Sequence, residues 1–310
     1  MRFPGVIHNR IVCARMSVQH DSMEVKATMI LVLGATGSTG GEVARQLIAA
    51  GITPRLLVRN RAKATEFEGK AEIREGDFTD PPSLQSALTD IEKVYLVSTG
   101  LAVRDLETRV IDAAQNVGVR HVVKLSVFSA DSPVITFAKW HAEIEMHLMD
   151  SGMEWTMLRP GSFMTNAFMF WANTIKTQGM IYHPTSDGKW PSIAAEDIAA
   201  VAVRALTEPG HEEKGYTLTG SESMNAAGYA AVFSRVLGKP VQFTDVPPET
   251  AKEQMLNGGM PLEYADAVMN LMSVIRAGLT DRVSNIFEQL MGRKPMTFAD
   301  WVSKHRAAFE

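Results

Sequence analysis

The chain has a single cysteine, Cys13, among 310 residues. Disulfide frameworks and cysteine-based metal sites are thereby excluded within one chain, and a reducing, cytoplasmic compartment fits best. No apolar run approaches the roughly 18 residues needed to span a bilayer. Neither sign of charge is in excess: 31 basic against 35 acidic residues leave a net charge of −4, with no block of like charge. That balance offers no surface for nucleic acid or for an acidic membrane. Internal repeats and low-complexity linkers are also missing, so the chain reads as one large domain or two modest ones with a substantial core. No metal site is expected.

Residues 1–28 stand apart. Arg2, Arg10, Arg15 and Lys26 are scattered among polar and apolar residues without an apolar stretch of signal-peptide length. The segment reads as a disordered extension, or as the product of an upstream start codon with Met29 or Met23 as the working start. An Arg-rich organelle presequence is the alternative, against which Asp21 and Glu24 count.

What the sequence does have is concentrated between Met29 and Gly51. An apolar run of strand length ends at Gly34, Gly37 and Gly40 follow at three-residue spacing, and Val43, Leu47 and Ile48 then share one helical face. Strand, tight turn and helix form a pyrophosphate site: glycines let a phosphate approach the main chain where unpaired helical N–H groups point outward. The turn Gly34-Ala-Thr36-Gly37-Ser38-Thr39-Gly40 differs from the G-x-G-x-x-G form, and an ordinary strand-to-helix turn has the same look. Its context, a preceding strand and a helix ending at Gly51, supports the dinucleotide reading.

The next segments extend that reading. Pro54–Arg59 is a second buried strand, and Arg59 and Arg61 lie at its carboxyl end, where the adenosine ribose sits in this architecture. An acid there would bind the ribose hydroxyls of NAD, whereas arginines pair with a 2′-phosphate. NADP(H) is therefore favoured over NAD(H), the alternative being two solvated loop residues. A third strand ends at Gly76-Asp77, with Asp77 placed to accept from the adenine amino group. Asp80 and Pro81 open a helix. The fourth strand closes in Ser98-Thr99-Gly100, small residues that leave room for the bridging ribose. Ser126 ends a fifth strand on the ligand side, as a hydrogen-bond partner rather than a nucleophile. A sixth strand reaches Arg159-Pro160-Gly161, which places Pro160 and Gly161 on the cofactor side. Strands alternating with helices predict an α/β fold, a Rossmann-type doubly wound parallel sheet over residues 29–160. Residues 161–310 are less regular and mostly helical, and read as a smaller substrate and lid region with elements returning to the sheet. Phe163, Met164, Phe168, Phe170 and Trp171 form either an aromatic slot for a flat ligand or ordinary core. Asn166 belongs to the same stretch.

With these residues placed, the chain resembles the NmrA-like family of atypical short-chain dehydrogenases/reductases, particularly its NAD(P)H-dependent quinone and azo-dye reductase-like members. The likeness runs from Met29 to Phe309. It rests on Gly34–Gly40, Val58-Arg59, Gly76-Asp77, His141-Ala-Glu-Ile-Glu145, Leu158-Arg-Pro-Gly161 with Phe163 and Asn166, and Gly292-Arg-Lys-Pro295 before Phe298-Ala-Asp-Trp301. Ser151-Gly152, Asp197-Ile-Ala and Leu218-Thr-Gly220 complete it. Short-chain dehydrogenases use a serine with Tyr-x-x-x-Lys. Matching the helix that carries Ala142-Glu-x-Glu145 puts Phe137 in the tyrosine place and His141 in the lysine place. Phenylalanine cannot donate a proton, so ordinary carbonyl chemistry is not expected. Hydride transfer to a quinone or azo bond is less demanding, because the acceptor is electron-poor. His141 then donates the proton or binds the ribose, since its unperturbed pKa is near neutrality; its alternative is a cofactor contact without a proton role. The resemblance implies an NADPH-dependent oxidoreductase acting on a small aromatic or conjugated acceptor. Its alternative is an NADP(H)-sensing, non-catalytic regulator with a protein partner.

Overall fold

Short runs rich in Val, Leu and Ile, apolar on both faces and separated by helices, assemble into the parallel sheet that such runs favour. The computed structural model describes Met1 and residues 28–310. The expectations for residues 2–27 lie outside the described residues. In chain order the first half holds β1 (Ile30–Leu33), α1 (Ser38–Ala49), β2 (Arg55–Val58), β3 (Glu72–Glu75), α2 (Pro81–Leu88), β4 (Lys93–Leu96), α3 (Val103–Asn116), β5 (His121–Leu125), α4 (Thr136–Asp150) and β6 (Glu154–Pro160). The second half follows with α5 (Asn166–Phe170), α6 (Ala172–Gln178), β7 (Met180–His183), α7 (Ala195–Thr207), β8 (Lys214–Leu218) and α8 (Ala226–Leu237). The chain closes with β9 (Gln242–Asp245), α9 (Pro248–Asn257), α10 (Leu262–Arg276), α11 (Ile286–Met291) and α12 (Phe298–Lys304).

Seven strands pair in the order β3-β2-β1-β4-β5-β6-β8, all parallel. The order reverses between β1 and β4, which opens a crevice at their carboxyl ends. Successive side chains alternate between two cores. Ile30, Val32, Leu56, Tyr95 and Val123 pack on the side of α1 and α7. Leu31, Leu33, Val94, Leu96 and Val122 pack on the side of α2, α3 and α4. A third core, built on Trp171, Trp190, Tyr229, Phe233, Phe298 and Trp301, belongs to the later helices and the small β7-β9 sheet.

The second half also returns to the first: β8 extends the sheet beside β6, and α7 packs along α1. The stretch with Phe168, Phe170 and Trp171 forms two short helices, α5 and α6, with Trp171 at their junction. The segment Trp190–Ile193 makes only isolated bridges, to Met224 and Phe163. Asp80 is the N-cap of α2 as expected, but its carboxylate makes no capping bond. Among the described residues no helix is long and apolar enough to cross a membrane.

Candidate active site

The glycine turn after β1 is shaped by close backbone approach. Gly34 has φ +64°, and a Cβ there would sit 2.7 Å from Val97 Cγ1. At Gly40 a Cβ would meet the Gly34 carbonyl oxygen at 2.3 Å and the Leu33 carbonyl oxygen at 2.6 Å, so only glycine lets α1 rest on β1. The first intrahelical bond runs from the Gly41 N–H to the Gly37 carbonyl at 3.0 Å. The N–H groups before it point out of the helix end. No side chain caps them and no acid lies in the first turn. Thr36, Gly37 and Ser38 are exposed at the mouth, with Thr39 buried behind. This cradle fits a pyrophosphate.

At the adenosine end the two arginines part company. Arg61 is held by Glu68 at 3.2 Å and by the Ile73 carbonyl at 3.3 Å, whereas the exposed Arg59 has no side-chain bond among the described residues. Arg59 lies close enough to Asp77 to help lower its pKa, after the hydrogen bonds from Thr79. Asp77 Oδ1 accepts from the Thr79 N–H at 2.8 Å and its hydroxyl at 2.6 Å.

Beyond the cradle lies a buried polar chain. Glu107 on α3 and Lys124 on β5 are both fully buried and meet at 2.5 Å. Glu107 Oε1 accepts from the Ser98 N–H at 2.8 Å and its hydroxyl at 3.1 Å, which fixes the loop of Ser98, Thr99 and Gly100. Lys124 Nζ also donates to the Leu125 carbonyl at 3.1 Å and lies 3.0 Å from His141 Nδ1 on α4. An ammonium has no lone pair, so His141 Nδ1 is the acceptor and the ring proton sits on Nε2. Burial, and then the Lys124 charge, hold the His141 pKa well below its ordinary value. His141 is therefore a neutral imidazole whose Nε2–H has no partner among the described residues, which corrects the expectation of a group titrating near neutrality.

Ser126 is bound differently from the expectation. Its hydroxyl donates to Glu145 Oε1 at 2.5 Å, and Glu145 is clamped by Arg159 at 3.0 and 2.7 Å, with Arg159 reaching Asp131 at 2.8 Å. The Ser126 proton is thus committed to a carboxylate, and its oxygen is left only as an acceptor.

A cavity of about 270 Å³ lies between these groups. Ser98 and Thr99 border it on the crevice side, with His141, Ser126, Pro160 and Gly161 beside them, and Phe163 and Asn166 further in. The Pro160 carbonyl accepts from the Phe128 N–H and the Gly161 N–H donates to the Leu218 carbonyl, so both of these backbone groups are already engaged within the protein. Phe137 and Tyr264 face one another across the wall, ring centroids 5.4 Å apart. A second space of about 160 Å³ continues behind Phe163, with Met164, Phe170 and Trp171 in its lining. Phe168 borders neither space; it packs against Trp301, His305 and Phe309 near the C-terminus, a correction to the expected pocket.

Three side chains escaped the sequence reading. Lys124 interrupts the apolar run His121-Val-Val-Lys-Leu, and Glu107 shares a helical face with Val103, Val110 and Ile111. Charges in such places signal a buried pair. Tyr264 left no comparable signal, since only the packing of α10 brings it to the cavity. Its phenol has no hydrogen-bond partner among the described residues, and burial raises its pKa.

Neutral histidines give the fold a dependence on acid. Burial pushes His121 and His183 down to about 4, and His141 is lowered as well. Unfolded, all three titrate near about 6.5. The unfolded chain therefore binds more protons below that pH, and stability is lost as pH falls from about 6.5 toward 4, by about 1.4 kcal/mol per unit for each fully neutral ring. Urea unfolding measured at pH 7, 6 and 5 is expected to show a steep decline already above pH 5; a decline confined to the carboxylate range would contradict it.

A doubly wound sheet with a glycine cradle at its switch point and an apolar cavity alongside is the architecture of a dinucleotide-binding α/β protein with a small-molecule site. Residues 26–302 match the NmrA-like family, and the chain belongs to it. It is 39% identical to the NAD(P)H azoreductase of Xenophilus azovorans over 286 residues, covering 91% of this chain and 99% of that one. The structure of an NADPH-dependent quinone oxidoreductase from Escherichia coli in complex with NADPH superposes with a TM-score of 0.80 at 29% identity, covering 90% of this chain and 100% of the other. The NADP(H) complex of the Citrobacter sp. triphenylmethane reductase gives 0.78 at 25% identity, covering 89% and 99%. The protein is an oxidoreductase, and the family and fold read from the sequence are borne out.

Proposed function

We propose that the protein reduces a quinone, an azo compound or a similar conjugated acceptor with NADPH. The observation that carries this reading is the apolar cavity beside the dinucleotide crevice, walled by Phe137 where carbonyl-reducing relatives of the superfamily keep a phenol. The nicotinamide supplies a hydride; the acceptor takes that hydride and one proton. Phe137, Phe163 and Leu271 offer flat apolar contact that holds a ring and excludes water. The His141 Nε2–H is the donor best placed to hydrogen-bond the acceptor as negative charge develops. As it delivers its proton, Nδ1 can take one from the Lys124 ammonium along the 3.0 Å contact, so no imidazolate need persist in the buried site and lysine is left as the neutral amine. Ser126, with its proton on Glu145, positions rather than protonates. Support for this acceptor class comes from the azoreductase and quinone oxidoreductase relatives. Steady-state oxidation of NADPH against a panel of quinones and azo dyes tests it: acceptor-dependent turnover is expected, and binding of NADPH without turnover would instead favour the sensor reading.

Preference for NADP(H) is assigned to Arg59, the arginine left free at the ribose end. Arg59→Asp is expected to weaken NADPH by about 1.5–3 kcal/mol, or roughly 10- to 150-fold, and NADH far less. Fluorescence titrations of both dinucleotides check this, and equal losses would remove Arg59 from 2′-phosphate recognition.

A further inference from the structure

The end of the sheet opposite the cavity holds a second group of functional side chains. His121 opens β5, Glu154 opens β6 in register with it, and Glu212 precedes β8, whose approach is pinned by the Glu213 N–H on the Trp155 carbonyl at 2.7 Å. His121 is fully buried. Its Nε2 lies 2.9 Å from Thr156 Oγ1, and Thr156 donates its own proton to the His211 carbonyl at 2.6 Å. A hydroxyl has one proton, so Thr156 must accept here, which puts the ring proton on Nε2 and a lone pair on Nδ1. His121 Nδ1 is buried and has no hydrogen-bond partner among the described residues. One ring nitrogen of His121 and one carboxylate oxygen from each of Glu154 and Glu212 lie within 4.8 Å of one another, and Nδ1 is the ring nitrogen not engaged by Thr156.

We propose that His121 Nδ1, Glu154 and Glu212 bind a divalent transition-metal ion of the zinc type. Such an ion takes imidazole nitrogen and carboxylate oxygen at about 2.0–2.2 Å, so tetrahedral ligand atoms stand about 3.3–3.6 Å apart. From a mutual separation within 4.8 Å, the ligand atoms close on that spacing by drawing together by about 1.5 Å or less. An imidazole whose other N–H is held by a hydrogen-bonded hydroxyl is the arrangement metal-bound histidines adopt. Calcium and magnesium are disfavoured, because one of the three donors is nitrogen. The surroundings set the strength: Glu154 gives one oxygen to Arg120 at 2.6 Å, and Lys93 is buried nearby. Lys93 and Arg120 oppose a cation; Glu92, Glu154 and Glu212 favour it. Lys93, Arg120 and Glu212 border an open groove through which the ion enters and water completes the coordination. The sequence reading expected no metal because these ligands are distant along the chain and converge only through the strand order.

The test uses the chelator-treated full chain, titrated with Zn²⁺ by calorimetry and with Co²⁺ by visible absorption. One equivalent of metal, a cobalt spectrum of low coordination number and a rise in melting temperature are expected. Since replacing buried His121 endangers the fold, the half-exposed Glu212 carries the test: Glu212→Gln is expected to weaken Zn²⁺ at least about ten-fold, the loss of one charged ligand, and to abolish the cobalt spectrum. Absence of stoichiometric binding overturns the proposal. So does binding whose affinity and spectrum survive Glu212→Gln, because the ion then sits elsewhere.

Discussion

Lys124→Met is expected to destabilise the protein by about 3–5 kcal/mol and to disorder the site at once. The ammonium is fully buried with three donors and three acceptors: Glu107, the Leu125 carbonyl and His141. Methionine fills much the same space but leaves the Glu107 charge with only the Ser98 N–H and hydroxyl for company. It also releases His141 Nδ1, so the tautomer is no longer dictated and the Nε2–H is no longer held toward the cavity. Chemical denaturation gives the first effect and NADPH titration the second. The double variant Lys124→Met with Glu107→Leu separates them. Removing both charges is expected to restore much of the stability, because an apolar pair replaces a buried ion pair at little cost. It restores neither the Ser98 loop nor the His141 orientation, so activity stays low. A loss below about 1 kcal/mol in the single variant, the range of an exposed pair, would mean the charge is not buried as described.

Gly40→Val is expected to remove dinucleotide binding, with an affinity loss of about 100-fold or more, equivalent to about 2.7 kcal/mol. Backbone oxygens of Gly34 and Leu33 stand 2.3 and 2.6 Å from where its Cβ would lie, and neither can swing aside as a side chain could. The helix must lift from β1, carrying the N–H groups of Ser38 and Thr39 away from the pyrophosphate. The packing of α1 against α7 suffers too, so a stability loss of about 1–3 kcal/mol accompanies the binding loss. Gly37→Ala is the contrasting control. A Cβ at that exposed turn position meets only the Gly34 oxygen at 3.2 Å, and a much smaller effect on folding is expected.

The parts of the site legible in the sequence are those set by local rules. The run Ile30–Leu33, the glycine turn and the α1 stripe are each defined within a dozen residues, and they place the crevice. Arg59 and Asp77 follow because strand ends in a parallel sheet share one edge. What stayed hidden depends on partners far along the chain. Ser126 reads as a free hydroxyl until Glu145 and Arg159 are seen to claim its proton. His141 reads as a neutral-pH acid until β5 is known to point Lys124 at it. Phe168 reads as pocket because its neighbours Phe163 and Asn166 are, yet one turn of α5 carries it to the C-terminal residues Trp301 and Phe309. Lys124 and Glu107 were visible as charges in apolar patterns, but their pairing was not, since it requires knowing that α3 and α4 cover the same face of β5.

On the proposed function, the site moves a hydride from NADPH to a conjugated acceptor without a phenol at position 137. The most direct measurement is a single-turnover mixing of the protein–NADPH complex with a quinone, using NADPH carrying deuterium at the transferred position of the nicotinamide. Loss of the reduced-nicotinamide signal in step with quinone reduction, one for one and slowed by the deuterium, is expected. A complex that holds NADPH tightly and leaves it unoxidised by every quinone and azo dye supplied would contradict it.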